Sequence, residues 1–96
     1  GGVDDRIAGV LAAHSATLEV LRLENSHVSD VAMKALVEAG APRLKQLSIA
    51  DTCHVREHKF LQKLPALRAL NVCQARLWIG DETKSKLKAQ GCWISE

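Results

Sequence analysis

Three short stretches decide the fold: LEVLRL at residues 18–23, LKQLSI at residues 44–49 and LRALNV at residues 67–72. In each stretch the first, fourth and sixth positions are apolar, and all nine of these positions carry Leu, Ile or Val. The stretches begin 26 and then 23 residues apart. Self-similarity at a period of about 20–50 residues is the signature of a repeat architecture. The sequence therefore predicts three structural repeats.

Each stretch has the pattern of a short strand with one buried side. Residues two apart on a strand point to the same face, so Leu21 and Leu23 face one way while Arg22 faces the other. One such strand cannot close a core by itself. Stacked repeats align their aliphatic side chains into a continuous core, which explains a composition rich in Leu but with only 3% aromatic residues.

Helical patterns lie between the strands. The clearest covers residues 30–39, with Ser29 as the N-cap, Gly40 as the left-handed stop and Pro42 as a breaker. The other predicted helices cover residues 4–14, residues 56–63 before Pro65, and residues 82–90 between Asp81 as the cap and Gly91 as the stop. Cys92, Trp93 and Ile94 are predicted to form a closing strand, because Trp93 follows Leu67 by 26 residues, the spacing of the first two stretches.

These elements divide a single domain, residues 1–96, into five segments. They are a helix at 1–17, repeat 1 at 18–43, repeat 2 at 44–66, repeat 3 at 67–91 and a closing strand or cap at 92–96. The first helix is either an N-terminal cap or the back half of a preceding repeat. We expect the chain to be a C-terminal fragment of a larger protein, because it begins with a helix that leads into a strand.

The two tryptophans are the largest side chains of the sequence. We expect Trp93 to shield the last repeat, because the open end of a repeat stack exposes apolar surface. Trp78 follows the third strand. It is expected either to cover the edge of the core or to lie on the convex side, where a partner could dock.

Composition and charge exclude several classes of protein. With 47% hydrophobic residues the chain is not intrinsically disordered, and no apolar run reaches the length of about 18 residues that a membrane span needs. A net charge of +2 and the absence of Tyr give no indication of nucleic-acid binding. Three widely spaced cysteines fit reduced thiols in an intracellular, cytoplasmic protein better than a disulfide framework.

The three stretches resemble the leucine-rich repeat family, and the likeness covers roughly residues 4–96. Residues 18–43 are similar to its ribonuclease-inhibitor-like and cysteine-containing subclasses. Ser26, Thr52 and Ala75 stand where the family usually carries Asn or Cys. The resemblance implies an α/β fold: a right-handed β-α solenoid with a short, curved parallel sheet and helices on its convex side. It also implies a protein-binding function, with neither catalysis nor a cofactor.

The outward-facing positions of the strands are the predicted partner-binding residues. Interface hot spots favour Trp, Tyr and Arg, so Arg22 and Arg68 are the best anchors on a concave face expected to have no aromatic residue. The predicted partner-binding residues are Arg22, Lys45, Ser48, Asp51, Arg68 and Asn71. The sequence thus predicts a polar protein–protein interface, with neither a nucleic acid nor a membrane as partner. The alternative interpretation is that these are ordinary solvent-exposed strand residues that bind no partner.

Two alternative functions stay open. The repeats could be the substrate-recognition segment of a ubiquitin-ligase adaptor, which rests on family analogy. Alternatively, Cys53, His54 and His58 could form a metal site or a Cys/His catalytic site, because two His residues four apart share one face of a helix. Their spacing matches no standard zinc pattern. A buried thiol with two surface imidazoles explains them equally well, so no metal ligand is assigned.

Overall fold

Four short parallel strands and three α-helices form the structure, a computed structural model that describes residues 7–96. The strands are β1 (Val20–Arg22), β2 (Gln46–Ser48), β3 (Ala69–Asn71) and β4 (Trp93–Ser95), and they lie in the order β1-β2-β3-β4. The helices are α1 (Ile7–His14), α2 (Asp30–Ala39) and α3 (Asp81–Ala89), and a 3₁₀ helix covers Lys59–Lys63. The predicted mixed α/β class with a parallel sheet is confirmed. The start predicted for the first helix, at residues 4–6, lies outside the described residues.

The strands are in register at the central position of each motif. Leu21 pairs with Leu47, Leu47 with Leu70, and Leu70 with Ile94. The three leucines are at most 8% exposed, and Ile94 packs against the same core. The core therefore runs along the inner side of the sheet. Because side chains alternate along a strand, the two residues that flank each central one point away from the core.

Helix α2 forms as predicted. The Ser29 hydroxyl accepts the Val31 N–H at 3.2 Å, which satisfies one of the free donors of the first turn. Gly40 ends the helix with a φ of 85°, and its N–H donates to the carbonyl of Val37. Ala32, Met33 and Leu36 are buried. The helix thus packs one apolar face against the core.

The second predicted helix is wrong in its first half. Instead of residues 56–63, only Lys59–Lys63 is helical, and the turn is 3₁₀. The backbone N–H groups of Arg56 and Glu57 both donate to Asp30 Oδ1, at 3.0 Å each. These two bonds, together with a parallel bridge between Ser29 and His54, hold the preceding segment beside the start of α2. Long-range partners for its backbone therefore outweigh the local helical tendency.

Helix α3 begins one residue earlier than predicted. Asp81 is its first residue and Gly80 is the N-cap, with no side-chain cap bond. Gly80 is buried beside the His58 ring, and a Cβ there would lie 3.1 Å from His58 Cε1. A side chain at residue 80 would therefore fit only if the His58 ring shifted by a few tenths of an ångström. Gly91, with a φ of 83°, follows the helix as predicted. Within residues 7–96 no helix is long and apolar enough to cross a membrane.

Candidate functional site

The outward side of the sheet carries two rows of side chains, which together are called the outer face below. The first row is Val20, Gln46, Ala69 and Trp93, and the second is Arg22, Ser48, Asn71 and Ser95. Each row has one residue from each strand, in register. Both rows line a shallow groove of about 210 Å³. Parallel pairing at one shared register therefore assembles residues that are more than 70 positions apart into one surface.

Three of the six predicted partner-binding residues meet in the second row. Arg22 is exposed, whereas Ser48 and Asn71 are half-buried. Asn71 Oδ1 accepts the backbone N–H of Cys73 at 3.0 Å, which fixes its side chain. Ser48 Oγ is buried and, among the described residues, has no hydrogen-bond partner. The row thus offers an exposed guanidinium and a fixed amide, whereas the Ser48 hydroxyl lies beneath the surface.

The other three predicted residues lie outside these rows. Lys45 Nζ pairs with Glu19 Oε1 at 3.4 Å, before the strands begin. Arg68 Nη1 donates to the backbone carbonyls of Pro65 and Leu67, at 3.2 and 3.0 Å. This guanidinium is held against its own chain and is a weaker anchor than predicted. Asp51 is exposed in the turn after β2, with a φ of 60°.

The structure corrects the expectation of a face without aromatic residues. Trp93 pairs with Ala69 in the first row, and its side chain is 74% exposed. It does not shield the end of the last repeat, because Cys92 and Ile94 turn inward and the residue between them must turn outward. Val20, 49% exposed, stands at the other end of the same row. The outer face therefore has an apolar residue at each end.

The sequence contained a pattern that indicates the outward orientation of Trp93. After the helix stop at Gly91, the residues Cys92, Trp93, Ile94 and Ser95 alternate between inward and outward positions. The prediction matched Trp93 to Leu67, the inward residue that opens the third stretch. The structure matches it to Ala69, an outward residue. Because the expected and observed partners of Trp93 differ by two residues, the sequence did not predict that this aromatic side chain lies on the outer face.

Cys53, His54 and His58 are not brought together into one site. His58 Nδ1 lies 2.8 Å from Thr83 Oγ1, and its ring stands edge-on to Trp78, with centroids 5.8 Å apart. The His54 ring instead faces His27, at 6.2 Å between centroids. Among residues 7–96, no three His, Cys, Asp or Glu side chains form a group that could hold a metal ion.

The three thiols are free and differ in exposure. Cys53 is exposed, Cys73 is half-buried and Cys92 is buried. Burial raises the pKa of the Cys92 thiol, because the thiolate is poorly solvated there, and the positive charge of Arg68 offsets part of this rise. A thiol with a raised pKa is a poor nucleophile at neutral pH. Cys92 therefore acts as a small core residue.

Comparisons of the chain with protein-family models, with curated proteins and with solved structures find no match. What the outer face can bind is therefore inferred from its own residues and geometry.

Proposed function

We propose that this chain is a leucine-rich-repeat module, a right-handed β-α solenoid, that binds a protein partner through the outer face. The single observation that carries the proposal is the position of Trp93, which is 74% exposed, in register with the other strands, at the end of a groove lined by polar side chains. The parallel strand order and the shared register of the leucines support the solenoid.

The chemistry of the outer face suits recognition of another protein. Trp and Arg are the residues most enriched at interface hot spots, and Trp93 and Arg22 provide one of each. Between them, the polar side chains of Gln46, Asn71 and Ser95 line the groove. Binding would therefore use an aromatic anchor, a cationic anchor and a polar strip, with no chemical turnover.

A matched pair of variants tests the proposal. Trp93→Ser removes an anchor on the outer face, and Trp78→Ser removes an equally exposed tryptophan, 74% in each case, that lies beside His58 and off that face. Partners are captured from an extract of the source organism on the wild-type chain and on both variants, and are compared by quantitative mass spectrometry. Candidates that bind directly are then titrated by calorimetry.

We expect Trp93→Ser and Arg22→Glu each to weaken partner binding by about tenfold or more, and Trp78→Ser to leave binding unchanged. A partner that binds equally well to Trp93→Ser and Arg22→Glu would contradict the proposal, as would a partner lost only with Trp78→Ser. The ubiquitin-ligase alternative uses the same face and is distinguished by the identity of the partner. No described contact favours the metal or Cys/His alternative.

A further inference from the structure

Helix α1 is apolar on every side. From Ile7 to Ala13 it has no polar side chain. Leu11 is buried toward the core, but Val10 is 58% exposed on another side of the helix. A helix that is hydrophobic all round is normally buried. The outer side of α1 therefore has the character of a contact surface.

Strand β1, which follows α1, has an open edge. Its ladder bonds all run to β2: the Leu23 N–H donates to the Ser48 carbonyl, and the Glu19 carbonyl accepts from the Lys45 N–H, both at 2.8 Å. Backbone groups of alternate residues in a parallel strand point to opposite sides. The N–H and C=O groups of Val20 and Arg22 therefore point away from β2, where no strand lies among residues 7–96.

The opposite end of the molecule has the complementary features. In β4 the Trp93 N–H and the Ser95 carbonyl bond to β3, so the backbone groups of Ile94 point to the open edge. Between β4 and α3 lies a depression of about 290 Å³. It is lined by Lys84, Lys88, Cys92, Trp93, Ile94 and Glu96. Lysine side chains in such a position offer apolar methylene groups and keep their ammonium groups in water.

We propose that copies of this chain associate head to tail, with β4 of one copy pairing in parallel with β1 of the next. The pairing continues the ladder that already joins the four strands, and it places Trp93 opposite Val20 and Ile94 opposite Leu21. The open N–H and C=O groups of Ile94 then meet those of Val20 and Arg22. Val10 of the second copy enters the depression beside α3. Each end thus supplies what the other lacks. The association does not depend on the proposed function, although both contacts include Trp93 and Val20.

The geometry also fixes how the association grows. The contact joins two different surfaces, so it is heterologous, and each added copy leaves a free end at which the next can bind. The average mass should therefore rise with concentration without stopping at a dimer. Three-residue strand edges and one helix face make a small interface, so we expect a dissociation constant of about 10 µM to 1 mM.

Sedimentation velocity of the 96-residue chain over that concentration range is the test. Val10→Lys places a charge on the contact side of α1 and should weaken association by about tenfold or more. Val31→Lys is the matched control, because Val31 is also an exposed valine of a helix, at 60% against 58%, and lies at neither end of the sheet. Circular dichroism checks that both variants fold.

Mixing two blocked chains makes the test specific. Val10→Lys leaves the β4 end intact, and Trp93→Lys leaves the β1 end intact, so each alone should stay monomeric while an equimolar mixture forms a dimer and nothing larger. A wild-type chain that is monomeric at every concentration would overturn the proposal. So would a mass that levels off at a dimer, an equal loss with Val31→Lys, or a mixture that does not associate.

Discussion

The backbone takes a left-handed conformation at three equivalent residues. Asn25, Asp51 and Gln74 have φ values of 57°, 60° and 61°. Each lies two residues after the last apolar position of its six-residue stretch. Asn and Asp visit this region readily because their short side chains bond to the local backbone, whereas other residues with a Cβ are strained there. The third turn, with Gln74, is therefore the weakest of the three.

Replacing Gln74 should show this strain. We expect Gln74→Gly to raise the free energy of unfolding by about 0.5–1 kcal/mol, because glycine adopts a positive φ without a steric cost. Urea denaturation followed by circular dichroism measures the change. Gln46→Gly, at an exposed strand residue without a positive φ, should instead lower stability by a similar amount. Equal effects of the two changes would contradict this account of the turn.

The Cys92 thiol predicts a loss of stability at alkaline pH. Because burial raises its folded-state pKa above the ordinary value of 9.0, the unfolded chain loses the thiol proton first as the pH rises. The contribution of Cys92 is therefore fully present below about pH 9 and is lost as the pH rises through the folded-state pKa. Urea midpoints between about pH 8 and pH 11 should fall more steeply for the wild type than for Cys92→Ala. Parallel curves would contradict this.

At the scale of elements, the turns after the strands satisfy their own carbonyl groups. The hydroxyls of Ser26 and Thr52 donate to the carbonyls of Leu23 and Ile49, each at 2.7 Å. These two residues stand at the position where leucine-rich repeats usually carry Asn or Cys. Ala75 has no such donor, and only its backbone N–H reaches the Val72 carbonyl, at 3.0 Å. Two of these three turns are thus closed by a side chain.

The register of β2 is tested by two acidic substitutions close together in the chain. Leu47 is 2% exposed at the centre of the sheet, so Leu47→Asp would bury an unpaired carboxylate and should cost more than about 4 kcal/mol, enough to unfold a small domain. Lys45 is exposed, and Lys45→Asp replaces its surface ion pair with Glu19 by a solvent-screened repulsion between two carboxylates, a change of about 1 kcal/mol. Circular dichroism and thermal melting compare the two. Similar melting of both variants would show that this register is wrong.

At the scale of the whole molecule, the two proposed contacts overlap at Val20 and Trp93, which stand at the two ends of the outer face. The outer face lies along the sheet, whereas head-to-tail association uses its two edges and helix α1. The middle of the outer face would therefore remain accessible to a partner in an associated chain, and neighbouring copies would extend the row that joins Val20 to Trp93. Such repetition raises the apparent affinity for a multivalent partner.

The sequence predicted the two ends of α2 correctly, but it predicted only some of the features that depend on contacts between distant residues. Ser29 and Gly40 bound α2 as predicted, since caps and stops depend on neighbouring residues alone. The segment before the 3₁₀ helix was mispredicted because its backbone bonds to Asp30, 26 residues earlier. Of the candidate site, Arg22, Ser48 and Asn71 meet as predicted, whereas the Arg68 guanidinium is held by nearby carbonyls.

The sequence by itself determined the strands and the buried leucines, because the apolar spacing within each motif fixes which side chains must leave water. The parallel α/β class was an expectation from the resemblance to leucine-rich repeats. Only the tertiary structure decided what stands on the outer face. The register of β4 against β3 pairs Trp93 with the outward residue Ala69 and not with the buried Leu67 two positions earlier, so Trp93 faces outward and Cys92 inward. Register depends on contacts between distant segments. The repeat spacing alone therefore left the aromatic anchor hidden.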